Sequence, residues 1–182
     1  MSAMTTLTYS FPSKSISHGL TTYVVAALIY TSLLFSPSAD AQDSKAKLVL
    51  APQQLEQYLE PELTAGRWQL VMFWTTWCPV CKSDFKRLQV FLDEQPELEL
   101  DLMGVVFDGI ESETETHALV KKHNLNYTHF LTTQEVAAEY YLNAAEEELV
   151  GPPSYLLFDR NNEVAAISAN AIDLDSLELF LD

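Results

Sequence analysis

Cys78 and Cys81, the only cysteines of the chain, are separated by two residues within Trp68–Asp84, WQLVMFWTTWCPVCKSD. A thiol pair at that spacing can close a disulfide within one helical turn, and its chemistry is exchange with another disulfide. The elements that must position it can be read on either side. Leu70 to Trp74 is apolar without a polar break, as expected of a strand covered on both faces. Pro79 stands where a first helical residue belongs, because its fixed φ suits the first turn and its missing N–H would have had no partner. The spacing predicts a helix from Pro79 to Glu94, stopped near Pro96. Cys78 then lies at the positive end of a helix dipole, beside unpaired backbone N–H groups that favour a thiolate, and its pKa is expected to be depressed. Cys81, one turn further on and expected to be more buried, suits a resolving role.

The rest of the composition narrows the chemistry. Lys plus Arg is 10 and Asp plus Glu is 26, a formal charge of −16 that disfavours nucleic acid and anionic lipid surfaces as partners. The Glu-rich patches at 94–101, 111–115 and 146–148 read as solvated surface. Cys78-x2-Cys81 with His117 and His123 superficially fits zinc-ligand spacing, but the two histidines are about 240° apart around one helix, and no metal or cofactor is implied. His117, His123 and His129 are expected at the surface or at strand ends.

The first 41 residues read as targeting sequence. Lys14 precedes an apolar stretch from Leu20 to Phe35, followed by Ser36-Pro-Ser-Ala-Asp-Ala41 with its A-x-A pattern. This is a signal peptide expected to be cleaved after Ala41; the alternative is a membrane anchor, for which the stretch falls just short of the ~17 to 25 residues of a spanning helix. No cysteine lies near the site, which excludes a lipid-anchored form. Residues 42–182 suffice for one domain with its own core. With both cysteines in one pair, an exported chain has no thiol left for a structural disulfide.

FWTTWCPVCK resembles the active-site motif of the thioredoxin-like superfamily, and Gly151-Pro-Pro-Ser-Tyr-Leu-Leu-Phe-Asp159 is similar to the loop in which that family places a cis-proline, here Pro153. The two motifs and the elements between them cover roughly residues 48 to 182. The resemblance implies an α/β thioredoxin-like fold, a central mixed sheet flanked by helices. The long stretch from Cys78 to Pro153 leaves room for an added βα segment, as in the exported TlpA/ResA/cytochrome-c-biogenesis branch, and too little for the helical insertion of the DsbA type.

What the resemblance implies for function follows from these residues. Cys78 attacks a substrate disulfide and Cys81 resolves the mixed disulfide; Trp77, Pro79, Val80, Pro152 and Pro153 line the substrate. The partners would be protein thiols and disulfides, with a membrane electron-donor protein behind them, outside the cytoplasm, in the periplasm. Reduction of exported proteins or apocytochromes is the first reading, a disulfide oxidase the second, and a binding module with incidental cysteines the third. Two departures stand out. The strand position at which thioredoxins often carry a buried carboxylate is Met72, so the proton of the resolving thiol must leave through water or another acid, Glu148 being the candidate. Pro152 has no N–H to offer a bound peptide where the family uses one.

Along the remainder, the pattern predicts a strand at Lys47–Leu50, an amphipathic helix over 52–60, a strand over 98–107 and a helix over 111–123. A strand over 127–131, a helix over 134–141, strands over 155–159 and 163–168 and a closing helix over 174–181 follow.

Overall fold

A computed structural model describes residues 46–181; the predicted signal segment, and with it the choice between cleavage and anchorage, lies outside the described residues. Six strands form one sheet in the order β1-β4-β3-β2-β5-β6. They are β1 (Lys47–Leu50), β2 (Trp68–Trp74), β3 (Leu100–Val106), β4 (Thr128–Leu131), β5 (Ser154–Phe158) and β6 (Val164–Ser168). The first four in that order run parallel, and β5 and β6 are antiparallel to their neighbours. The helices are α1 (Glu56–Leu59), α2 (Pro79–Glu94), α3 (Glu113–His123), α4 (Gln134–Ala145) and α5 (Leu174–Leu181). The added βα segment between α2 and the Pro152–Pro153 loop is β4 with α4.

The pleat sorts each strand's side chains onto two faces. On one, Leu70, Met72 and Trp74 of β2 pack with Cys81, Phe85 and Leu88 of α2 and with Leu177 and Leu181 of α5. On the other, Val71 and Phe73 pack with Met103, Val105 and Phe130 and with Ala137, Tyr140 and Tyr141 of α4. Both faces of β2 are covered, as its unbroken apolar run requires.

Several predicted elements differ in extent, three of them for a visible reason. The helix expected over 52–60 is a single α turn continued by a 3-10 turn over 60–62 with Pro61 in its first positions, and Tyr58 points outward while Leu55 and Leu59 are buried. α4 runs four residues beyond Tyr141 and ends where Glu146 takes a left-handed φ of 57°. The strand expected from Leu98 begins at Leu100, because Pro96–Leu98 forms a 3-10 turn closed by Glu99 at φ 50°.

Candidate active site

β2, an interior strand, delivers the chain to one end of the sheet, and a short loop carries it into α2. Asp108, just past β3, fixes that loop: its Oδ2 accepts the Thr76 N–H at 2.6 Å. The Thr75 carbonyl accepts the Cys78 N–H at 3.2 Å, so the turn is tight when it reaches the first cysteine. Cys78 is the N-cap of α2, in extended conformation, with Pro79 in the first turn. Its Sγ accepts the Cys81 N–H at 3.0 Å, which meets one of the otherwise unpaired donors of a helix start. Cys78 and Cys81 are joined by a disulfide.

The remaining sequence-predicted residues divide by exposure. Cys81 is fully buried and Cys78 nearly so, whereas Trp77 beside them is 67% exposed and Val80 43% exposed. Pro79 is exposed as well. Trp77 forms one wall of a cavity of about 550 Å³ whose other walls include Thr76, Asp108, Glu115 and Glu135. The peptide bond between Pro152 and Pro153 is cis, with Pro153 buried and Pro152 half-buried. Register places this pair at the CxxC end of the sheet, since Ser154 pairs with Phe73, one residue before the end of β2. Val150, 73% exposed, precedes the loop.

Beneath the cysteines lies a carboxylate that the motif reading missed. Asp84, one helical turn beyond Cys81, is 1% exposed. Its Oδ2 accepts the Tyr155 hydroxyl at 2.7 Å and the Ile172 N–H at 3.2 Å, and its Oδ1 pairs with Arg87 Nη1 at 3.0 Å. Three donors occupy three of the four acceptor positions of a carboxylate and leave one free. Burial first, then the bond to Asp84, pushes the Tyr155 hydroxyl well above its ordinary pKa, so it stays a donor. Tyr155 pairs with Met72 across β2 and β5. A buried acid therefore reaches the neighbourhood of Met72 from the helix above rather than from the strand. The signal in the sequence was a lone Asp on the inward face of an amphipathic helix, at i+3 from a buried cysteine. Glu148, the acid proposed from the sequence, is exposed on the loop after α4 and is corrected to a surface residue.

His129 is corrected too. Expected at a strand end, it is fully buried on β4, because that strand lies inside the sheet between β1 and β3 and Gly104 leaves room above its neighbour. His117 is exposed, with its Nε2 3.9 Å from Glu113 Oε1; His123 is half-buried against Phe85.

Residues 38–167 match the AhpC/TSA family, well over half of the chain. The chain belongs to that family. Over 120 residues it is 26% identical to the soluble secreted antigen MPT53 of Mycobacterium tuberculosis, covering 64% of this chain and 65% of that protein. It is 25% identical over 120 residues to the thiol-disulfide oxidoreductase ResA of Oceanobacillus iheyensis, with 64% and 57% covered. The crystal structure of StoA from Bacillus subtilis superposes with a TM-score of 0.51 at 20% identity, over 65% of this chain and 85% of that one, which agrees with the thioredoxin-like fold. The matched stretch spans just under two thirds of the antigen and less of ResA. Among the described residues no helix is long and apolar enough to cross a membrane.

Proposed function

We propose that this chain is an extracytoplasmic thiol-disulfide oxidoreductase that works through Cys78 and Cys81, in the direction of reducing disulfides of exported proteins or apocytochromes. The observation that carries the reading is the disulfide at the N-cap of α2, with the Cys81 N–H aimed at Cys78 Sγ. When the pair is reduced, that donor and the helix dipole favour negative charge on the Cys78 sulfur. The Cys78 thiolate attacks a substrate disulfide, forming one S–S bond and releasing the first substrate sulfur as thiolate. Cys81 then gives its proton to a base, its sulfur bonds to Cys78 Sγ, and the electron pair of the broken bond leaves on the second substrate sulfur.

Asp84 is the base that the geometry supports, with its one free acceptor position and its place a single turn from Cys81. Trp77, Pro79 and Val80 form the exposed rim on which a substrate chain would lie, and Pro152 and Pro153 the opposite rim. The secreted description of MPT53 supports a working domain of residues 42–182 outside the cytoplasm, behind a signal peptide at 1–41. A membrane protein would return electrons to Cys78–Cys81.

One trapping experiment tests these roles. Cys81→Ser should accumulate mixed disulfides with substrate, Cys78→Ser should not, and Asp84→Asn should prolong the life of the mixed disulfide with both cysteines present. Trapping by Cys78→Ser instead would reverse the assignment, and a mixed disulfide that resolves at the wild-type rate in Asp84→Asn would remove Asp84 from it.

A further inference from the structure

On a chain of formal charge −16 the cations are not spread evenly. Five of the ten lysines and arginines, Lys82, Lys86, Arg87, Lys121 and Lys122, lie on α2 and the last turn of α3. Their pairing divides them from the rest. Lys47, Arg67 and Arg160 each lie within 4 Å of a carboxylate, from Glu62, Asp101 and Glu99, and Arg87 is held by Asp84. Among the described residues no carboxylate comes that close to Lys82, Lys86, Lys121 or Lys122.

The two helices meet where Phe85 of α2 packs against His123 of α3, with ring centroids 5.7 Å apart. Lys82 lies one turn before Phe85, and Lys86 one turn after Lys82, so the two form a row along α2 beside that contact. Lys122 adjoins His123 on the other helix, and the charges of Lys122 and Lys82 both add to burial in opposing protonation of that ring. Lys86 and Lys122 are exposed and Lys82 half-buried. The row on α2 ends at Gln89 and Asp93, whose side chains bond each other at 3.0 Å, and Glu113 and Glu115 sit in the opposite, first turn of α3. Lys121 and Lys122 suit the negative end of their helix. Lys82 and Lys86 have no such local reason: Lys82 stands near the positive end of α2, and like charges at i and i+4 repel. The Lys82 N–H donates to the Cys78 carbonyl at 3.4 Å, so the row begins one turn from the redox pair and reaches Lys86 about 6 Å further along the helix.

We propose that Lys82, Lys86 and Lys122 dock an acidic protein segment, a run of Asp and Glu flanking the cysteines of a partner that exchanges with Cys78–Cys81. The docking surface rests on thiol-disulfide exchange at that pair. Net charge repels such a partner, and the basic island gives the encounter one attractive orientation, the one that brings sulfur to sulfur. The uncharged rim of Trp77 and Val80 then takes the residues about the partner's cysteines, and the island takes their flank. A flat anionic bilayer would also meet the acidic residues around the island; a narrow segment need not.

The test uses two dithiol peptides that differ only in flanks of three Glu or three Gln, each reducing the oxidised full chain. One peptide thiolate attacks Cys78 Sγ, the Cys78–Cys81 bond breaks with its electron pair on Cys81, which takes up a proton, and the second peptide thiolate displaces Cys78 as the peptide disulfide closes. From wild type to Lys82→Gln/Lys86→Gln/Lys122→Gln, the ratio of Glu-peptide to Gln-peptide rates should fall about fivefold at low salt, as expected of three weak exposed pairs. In ~0.5 M salt the fall should vanish. Differences between the peptides' own thiols cancel in the comparison. An unchanged ratio overturns the docking surface, and so does an equal fall in Lys47→Gln/Arg160→Gln, which would assign the effect to net charge. If neither peptide reduces the wild type, exchange at Cys78–Cys81 is what falls. Docking is then read from the amide shifts of Lys82, Phe85 and Lys122 in 15N-labelled protein on adding the Glu peptide with its cysteines replaced by serine; unmoved amides overturn it. Binding to phosphatidylglycerol vesicles that is lost in the triple variant would give the island to a membrane and overturn it as well.

Discussion

The two faces of this sheet are built from alternate residues of the same strands, yet they bury different chemistry. Val71, Phe73, Met103, Val105, Phe130 and Leu156 present an apolar layer to α1 and α4, stacked tightly where Phe73 meets Tyr141 edge-on at 5.2 Å. The even-numbered residues of β2 face α2, and among them and their neighbours lie Asp84, Tyr155, His129 and the Trp74 indole N–H. A carboxylate and a histidine without exposed surface are expensive in a core unless partnered, and a polar layer is acceptable only when it is satisfied. The asymmetry places that expense directly beneath the cysteines. Both faces carry an apolar core that holds the fold together, and the one beneath α2 is in addition arranged around a buried carboxylate and a buried histidine.

Breaking the apolar face should cost the most stability and leave the thiol chemistry alone. Phe73→Ala removes a fully buried ring between β2 and α4, and a loss of about 3–5 kcal/mol is expected. Urea unfolding of the oxidised protein measures it. The reduction potential of Cys78–Cys81 should stay within error of wild type for whatever fraction remains folded, because no side chain of that face reaches α2 in the cluster that holds the cysteines. A shifted potential would show that the two faces are not independent.

The polar face should betray itself through pH. His129 binds a proton in the unfolded chain below about 6.5 but not in the folded one until about 3. The unfolded state therefore holds the extra proton between those values, and stability falls as pH drops through that window by up to about 1.4 kcal/mol per unit for this residue. At pH 4.5 the expected loss is about 2–3 kcal/mol by the same arithmetic. His129→Phe carries no such proton, so the stability difference between wild type and variant should shift by that amount between pH 7 and pH 4.5; carboxylates elsewhere cancel in the comparison. Parallel curves would mean that His129 is not held neutral.

The same contrast explains what could be read beforehand. β1, α2 and α5 have the bounds expected from sequence, because their signals are local: a short apolar run at Leu48–Leu50, Pro79 at a first turn, Pro96 past the end, and an apolar stripe at Leu174–Leu181. The outer rim was legible for a similar reason, since CPVC with Trp77 before it is a contiguous motif. Asp84 and His129 were not legible. Asp84 is bonded to Tyr155, 71 residues away, and to the Ile172 N–H, 88 away; nothing near Asp84 in the chain announces either. His129 is buried because β4 inserts between β1 and β3 beside a glycine, a matter of sheet order that strand periodicity does not contain. The first helix fell short at its start, where Gln54 takes a left-handed φ of 47° and the α turn begins only at Glu56, a backbone state that the apolar spacing does not announce.

The smallest effect concerns the rim opposite the helix, where the substrate chain is proposed to lie. Peptides that dock as a short extra strand exchange backbone hydrogen bonds with their host, and Pro152 has no N–H to exchange. Its neighbour Pro153 is also a proline, so the loop offers no backbone donor from Pro152 until Ser154, whose Oγ already donates to the Gly151 carbonyl at 2.7 Å. Binding before the covalent step must therefore lean on the exposed apolar surface of Trp77, Val80 and Val150. Pro152→Thr restores one donor, worth up to about 1.4 kcal/mol or tenfold in affinity. The comparison uses a disulfide-bearing peptide and a Cys78→Ser background, so that covalent capture does not mask the equilibrium. Tighter binding would place the substrate backbone against this loop; equal binding, with circular dichroism unchanged, would place it on the Trp77 side alone and leave the polar layer beneath α2 as the sole contribution of β5 to the chemistry.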